Sequence, residues 1–167
     1  MKIALISDTH GAWQRVSQAV KEEGVDYLIF LGDVAEDGRQ IAGDTGVPAS
    51  VLKGNCDPSD PAPAELTLTL GGVRFLLCHG DRYHVKETLQ MLHYRAQEQG
   101  AEIACFGHSH VPMYEEYSGV TLINPGSAFM PRNFDDAPSW GLLTIDDAAE
   151  ADGKKVKKYV KKCLPKA

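Results

Sequence analysis

No segment of this 167-residue chain approaches the roughly 20 consecutive apolar residues that a membrane-spanning helix needs. At the start of the chain, one lysine and the four-residue apolar run Ile3–Ile6 are too little for a signal peptide, so the cytoplasm is the expected location. Cysteine is scarce. The four present, Cys56, Cys78, Cys105 and Cys163, show no CxxC pair and no framework spacing, so nothing points to an oxidising compartment. Cys78 and Cys105 lie inside apolar runs and read as small core residues. Positive charge is lacking as well: residues 1–153 hold 10 basic against 23 acidic groups, a net of −13. Such a body repels polyanions and favours cations. Seven of the lysines fall in the acid-free last fourteen residues, Lys154, Lys155, Lys157, Lys158, Lys161, Lys162 and Lys166. They read as a solvated strand face, with contact to nucleic acid or anionic lipid as the alternative. There is no internal repeat, and no biased segment besides that end.

What is present is an ordinary globular composition, 43% hydrophobic and 24% charged, in a length that suits one domain, residues 1–167. Ile3–Ile6 is an unbroken apolar run, the pattern of a strand covered on both faces. Trp13, Val16, Ala19 and Val20 recur at helical spacing and Gly24 stops that helix. Tyr27–Leu31 is a second apolar strand, so the first 31 residues form a βαβ unit with a parallel sheet. A short helix over Glu36–Ala42 and a strand at Ala49–Leu52 follow. The Pro-rich stretch Pro58–Pro63 is a loop, because strands resume at once. Leu66, Leu68 and Leu70 alternate with threonines, and Gly71-Gly72 turns this strand into Val73–Cys78. Val85, Leu89, Leu92 and Ala96 mark an amphipathic helix ended by Gly100. Strands are expected at Ile103–Phe106, Met113–Tyr117, Val120–Ile123 and Trp140–Ile145, with Val156–Val160 as a lysine-guarded edge. Helix, sheet, sheet and helix make a layered α/β sandwich.

Five of these strands end in a metal-competent or strongly polar residue: Asp8 and His10, Asp33, Asn55, His79, and His108 with His110. Ligands of open α/β sheets gather outside the carboxyl ends of the strands. Any one such residue is ordinary loop chemistry; five loops at one edge are a constellation.

Asp8-x-His10, Gly32-Asp33, Gly54-Asn55, His79-Gly80 and Gly107-His108-Ser109-His110 follow the motif order of the calcineurin-like metallophosphoesterase superfamily, which this chain resembles. Asn124-Pro125-Gly126-Ser127 and the small size resemble its compact, YfcE-like phosphodiesterase branch. The resemblance implies a four-layer αββα sandwich with two mixed β-sheets flanked by helices. It implies two divalent metal ions, Mn foremost, with Ni, Fe, Co or Zn also compatible with oxygen and nitrogen donors. Asp8, His10 and His110 would hold one ion, Asn55, His79 and His108 the other, and Asp33 would bridge them. A hydroxide between the ions would attack a small phosphodiester, with Asp33, Asn55 and His108 as the catalytic set.

Departures from the pattern sharpen the expectation. Cys56-Asp57 stands where many phosphomonoesterases of the superfamily carry His-Glu, which suits a diesterase and removes the usual general acid. Cys56 and Asp57 either replace that acid at the leaving group or fill space and cap the loop. Asp81 occupies the place of a second family His, free to add a carboxylate or to pair with Arg82. His84 is expected at a helix start, solvated or near substrate, and His93 has no assigned role. Asn55 and Arg132 are candidate substrate contacts, Arg132 as a guanidinium fork for phosphate. Ser127 lacks a His and carboxylate to activate it as a nucleophile. Competing expectations are a phosphomonoesterase, a nuclease gripping its substrate with the lysine tail, and a non-catalytic scaffold like the retromer subunit Vps29. A small phosphodiester is the expected partner, without membrane or nucleic acid, and a homo-oligomer is compatible.

Overall fold

The computed structural model of the chain describes residues 1–132, 135, 137–151 and 154–165. Its first sheet joins β1 (Lys2–Ile6), β2 (Tyr27–Phe30), β3 (Ala49–Val51), β9 (Ser139–Ala151) and β10 (Lys154–Cys163) in the order β10-β9-β1-β2-β3. The second joins β4 (Glu65–Leu70), β5 (Val73–Cys78), β6 (Ile103–Cys105), β7 (Met113–Tyr117) and β8 (Val120–Asn124) in the order β4-β5-β6-β8-β7. Both are mixed: β1, β2 and β3 run parallel, as do β5, β6 and β8, while the remaining pairs are antiparallel. Helices α1 (Trp13–Glu23) and α2 (Ala35–Thr45) accompany the first sheet and α3 (Gln90–Glu98) the second. The architecture is the expected αββα sandwich.

Alternation within each central strand builds the layers. Ile3, Leu5, Ile29, Phe75, Leu77, Ile103, Cys105 and Leu143 fill the space between the sheets. Their neighbours Ala4, Ile6, Leu28 and Phe30 face α1 and α2, and Leu76, Ala104 and Phe106 face α3. An unbroken apolar run is therefore two alternating apolar faces, each with its own layer. Burying a side chain such as Phe75 contributes about 1.5–3 kcal/mol. Beyond Lys2 and Tyr27 at their starts, β1 and β2 carry no polar residue until they end, where the backbone leaves the core and side chains can serve chemistry.

Three expectations shift. The helix expected over Glu36–Ala42 runs Ala35–Thr45. The helix expected from Val85 begins only at Gln90, because a short 3-10 turn at Asp81–Tyr83 closes with His84 left-handed at φ 52°. Val85 instead packs over Gly80, where a Cβ would lie 2.8 Å from its Cγ2. The lysine-rich end forms the edge strand β10, and three of its lysines meet acids of the body: Lys157 with Glu102, Lys161 with Asp135 and Lys162 with Glu23. Lys166 lies outside the described residues. Among the described residues no helix is long and apolar enough to cross a membrane.

Candidate metal centre

The carboxyl ends of β1, β2, β3, β5 and β6 meet in one cluster of loops. Backbone bonds stitch them together: Asp8 N donates to Gly32 O at 3.1 Å, Gly107 N to His79 O at 2.8 Å and Ala128 N to Ser7 O at 3.2 Å. Five of the seven expected ligands sit at positive φ, namely Asp8, His10, Asp33, His108 and His110, between 41° and 67°. Non-glycine residues rarely hold this conformation, at about 1–3 kcal/mol each, and those that do concentrate at functional sites. The left-handed turn rotates each side chain back over the strand end, where an extended residue would point along it.

The side chains converge accordingly. Asp8, His10 and His110 offer donor atoms within 4.8 Å of one another, as do Asp8, Asp33 and His79. Asp8 Oδ1 lies 3.2 Å from His110 Nε2 and 3.9 Å from His79 Nε2, so it faces both halves of the cluster. Asp33 sits between them, with Oδ1 3.3 Å from His79 Nε2 and Oδ2 3.8 Å from His10 Nε2. His79 Nε2 is also 3.0 Å from Asn55 Oδ1, and the His108 ring stands edge-on to His79 with centroids 5.1 Å apart. His108 belongs to neither compact group; the structure sets it half-buried behind His79.

A supporting shell aims these donors. His79 Nδ1 donates to Leu31 O at 2.8 Å and His110 Nδ1 to Met130 O at 2.7 Å. A carbonyl only accepts, so in both rings Nε2 is the atom turned to the cluster. Ser7 Oγ and His108 N donate to Asp8 Oδ2 at 2.6 and 3.1 Å, leaving Oδ1 free. Asp37, on the first turn of α2, takes Thr9 Oγ1 and Gly11 N, both at 2.7 Å, and so clamps the loop that carries Asp8 and His10. Ser7 and Asp37 escape a reading of the sequence because an acid in the first turn of a helix already has an ordinary meaning there. Two glycines make the approach possible. A Cβ on Gly54 would collide with Asp33 Oδ1, and one on Gly107 would collide with Ser7 Oγ and lie 2.7 Å from Asp8 Oδ2.

The electrostatics suit a cation. Burial alone would raise the Asp33 carboxyl, but His79 and the Cys56 N–H hold it well below the usual range. Burial opposes charge on His79, yet Asp33 and Asp8 outweigh it and raise its pKa. Carboxylates that draw a proton to this ring would draw a divalent ion more strongly. His108 is held below its ordinary value by burial first and then by the charges of His79 and Lys86. Asp8 Oδ1 and His10 Nε2 are buried with no hydrogen-bond partner among the described residues. Such orphans are uncommon in native proteins, and here both belong to metal-competent side chains aimed at the same point. The donor set fits a divalent metal.

The remaining expected residues are placed less centrally. Cys56 is exposed, donates its backbone N–H to Asp33 Oδ1 at 3.0 Å, and brings its sulfur close to His10 and Asp33. Burial of the thiol, with Asp33 next, pushes it up to about 11, so it keeps its proton at neutral pH. Asp57 accepts from Ala35 N at 2.5 Å and Gly54 N at 2.7 Å, so it ties the Asn55 loop to the start of α2. Both Asp57 oxygens accept backbone N–H groups, the loop-capping alternative that the sequence leaves open for this residue. Ser127 likewise supports: it donates to Asp8 O at 2.8 Å and accepts from Phe129 N and Met130 N. Arg132 donates its backbone N–H to His110 O at 3.0 Å, while its exposed side chain borders a neighbouring slot, not the cluster itself. His84 is exposed and His93 is buried against Tyr117 O, away from the cluster.

The chain is similar to proteins already known. Residues 1–148 match the calcineurin-like phosphoesterase superfamily domain. The chain is 38% identical over 151 residues to the probable metallophosphoesterase YsnB of Bacillus subtilis (strain 168), covering 89% of this chain and 87% of that one. It is 30% identical over 172 aligned positions to the phosphodiesterase YfcE of Escherichia coli (strain K12), covering 87% and 89%. Among solved structures, Vps29 of Entamoeba histolytica complexed with zinc shares the fold, with a TM-score of 0.77 at 20% identity over 96% of this chain and 99% of that one.

Proposed function

The chain belongs to the calcineurin-like phosphoesterase superfamily, whose members use divalent metals, and on that premise we propose that it is a cytoplasmic phosphodiesterase with a binuclear centre, formed by one domain over residues 1–167. The observation that carries this reading is the pair of buried donors, Asp8 Oδ1 and His10 Nε2, which have no hydrogen-bond partner among the described residues and lie inside a cluster completed by Asp33, His79 and His110. Asp8, His10 and His110 would hold one ion and His79, Asn55 and His108 the other, with Asp33 turning one oxygen toward His79 and one toward His10. Two bound divalent ions supply an acidified water and a clamp on the phosphoryl oxygens. Manganese is the first to test, since mixed oxygen and nitrogen donors without thiolate suit it, as they suit Ni, Fe, Co and Zn. The side chains do the positioning: Asp33 and Asp8 gather the positive charge, and exposed Asn55 stands at the rim beside His79 to receive the substrate. The protonated thiol of Cys56 is a weak donor beside Asp33 and leaves the departing oxygen without a strong general acid. That arrangement favours a diester with an acidic leaving group over a monoester.

The test is an assay after exhaustive chelation and stepwise return of each metal. With manganese restored, bis(p-nitrophenyl) phosphate is hydrolysed with kcat/KM at least tenfold above p-nitrophenyl phosphate. The opposite preference reassigns the chain as a phosphatase. Activity that survives chelation overturns the metal centre, and metal binding without any ester hydrolysis moves the chain to the scaffold class.

A further inference from the structure

Seven of the ten basic residues in 1–153 already have their side chains engaged. Lys2, Lys21, Arg39 and Arg95 meet carboxylates, and Arg15, Lys53 and Arg74 donate to backbone carbonyls. The three whose side chains have no hydrogen-bond or ion-pair partner among the described residues are Arg82, Lys86 and Arg132. Arg82 lines a small hollow with Asn55 and Asp81, apart from the other two. Lys86 and Arg132 line a slot of about 320 Å³ that also includes Ser109, between the two histidines of the His108–His110 loop. In a body with a net charge of −13, cations left without acids at one place are an arrangement that favours an anion there.

Two properties of the slot narrow the anion's carrier. Its walls are apolar, formed by Val85, Leu89, Phe106 and Met113, so it accepts a flat hydrophobic body. Its cations are both exposed, so they meet a charge that the body carries at its outer end. A wholly neutral occupant would leave the two cations unmatched. A long polyanion would meet a body whose net charge is −13. Resting on the diesterase reading above, we infer that the slot takes one ester arm of the substrate, a nucleoside-like arm that bears a second phosphate, with Lys86 and Arg132 as specificity-determining residues for that phosphate. The substrate class is then a short nucleotidic diester with a charged terminus. Guanidinium and ammonium contacts to a phosphate are charge-assisted and strong enough to shift affinity about tenfold.

The test compares two chromogenic diesters that differ in one group, thymidine 5′-(p-nitrophenyl phosphate) with and without a 3′-phosphate. In the native enzyme the 3′-phosphate lowers KM about tenfold with little change in kcat. In the Lys86→Ala/Arg132→Ala double variant the ratio of the two KM values falls to near one, and Arg132→Lys in an otherwise native chain restores most of it. Equal KM values in the native enzyme, or a ratio that persists in the double variant, overturn the inference while leaving the diesterase reading standing. If no diester is hydrolysed, that reading falls instead. The slot is then judged by calorimetry of the metal-loaded protein with thymidine 3′,5′-bisphosphate against thymidine 5′-monophosphate. An advantage for the bisphosphate that the double variant loses supports the slot; equal affinities reject it.

Discussion

The interior of a central strand and its carboxyl end obey opposite rules in this molecule. Inside β1 and β2, Ile3–Ile6 and Leu28–Phe30 are fully buried, apolar and divided between two layers. A few residues later, Asp8 and Asp33 are equally buried but charged, left-handed and surrounded by histidines. The first region stabilises the fold; the second is held in place by it against backbone strain, carboxylate crowding and orphaned donors. Strain and unpaired polarity persist only where the surroundings over-determine them, and the rigid five-stranded sheets on either side do that here. Five left-handed ligand residues and two orphaned donors fall within one rim of loops.

The contrast can be broken from either side. Asp33→Asn removes the carboxylate that faces both halves of the cluster, and hydrolysis should fall at least a thousandfold, about 4 kcal/mol of transition-state stabilisation. The same variant should lose most of the rise in Tm that manganese gives the native protein, because ligand-linked stability follows the binding. A near-native rate for this variant would dissociate Asp33 from the chemistry. Phe75→Ala acts on the other region: a cavity between the sheets should cost about 3–5 kcal/mol in denaturant titration. Its kcat at a temperature where it remains folded should stay within a few-fold of native, and a larger loss would show that core and rim are not separable. Tyr159→Phe sharpens the comparison with a small effect. The Tyr159 hydroxyl is buried in the inter-sheet layer with no hydrogen-bond partner among the described residues, an orphan with no function attached. Removing it should leave activity alone and raise stability by up to about 1 kcal/mol. Destabilisation instead would mean the hydroxyl has a partner.

Much of this was legible beforehand because it is periodic or local. The apolar runs of β1, β2 and β5, the Gly71-Gly72 hairpin and the lysine-guarded edge at β10 follow from alternation, turn chemistry and charge along the chain. The start of α3 was misplaced by five residues because Val85 keeps helical spacing with Leu89 and Leu92, while the left-handed turn at His84 that separates them leaves no mark in the periodicity. For Asp57 the sequence leaves loop cap and leaving-group contact open, because the two backbone N–H groups that its oxygens accept are placed only by the fold.

The amino-acid sequence by itself determined the layered α/β framework and the identity of the residues at the strand ends, since both depend on spacing along the chain. Tertiary structure alone decided how those ends act together. Asp8 and His110 are 102 positions apart, and only the stacking of two sheets brings Oδ1 and Nε2 to 3.2 Å. The Asp37 clamp, the glycine approaches at 54 and 107, and the unpaired Lys86 and Arg132 are likewise properties of neighbours in space. A strand end can name a ligand, but its aim, its charge state and its empty lone pair are set by atoms that the chain reaches only after folding.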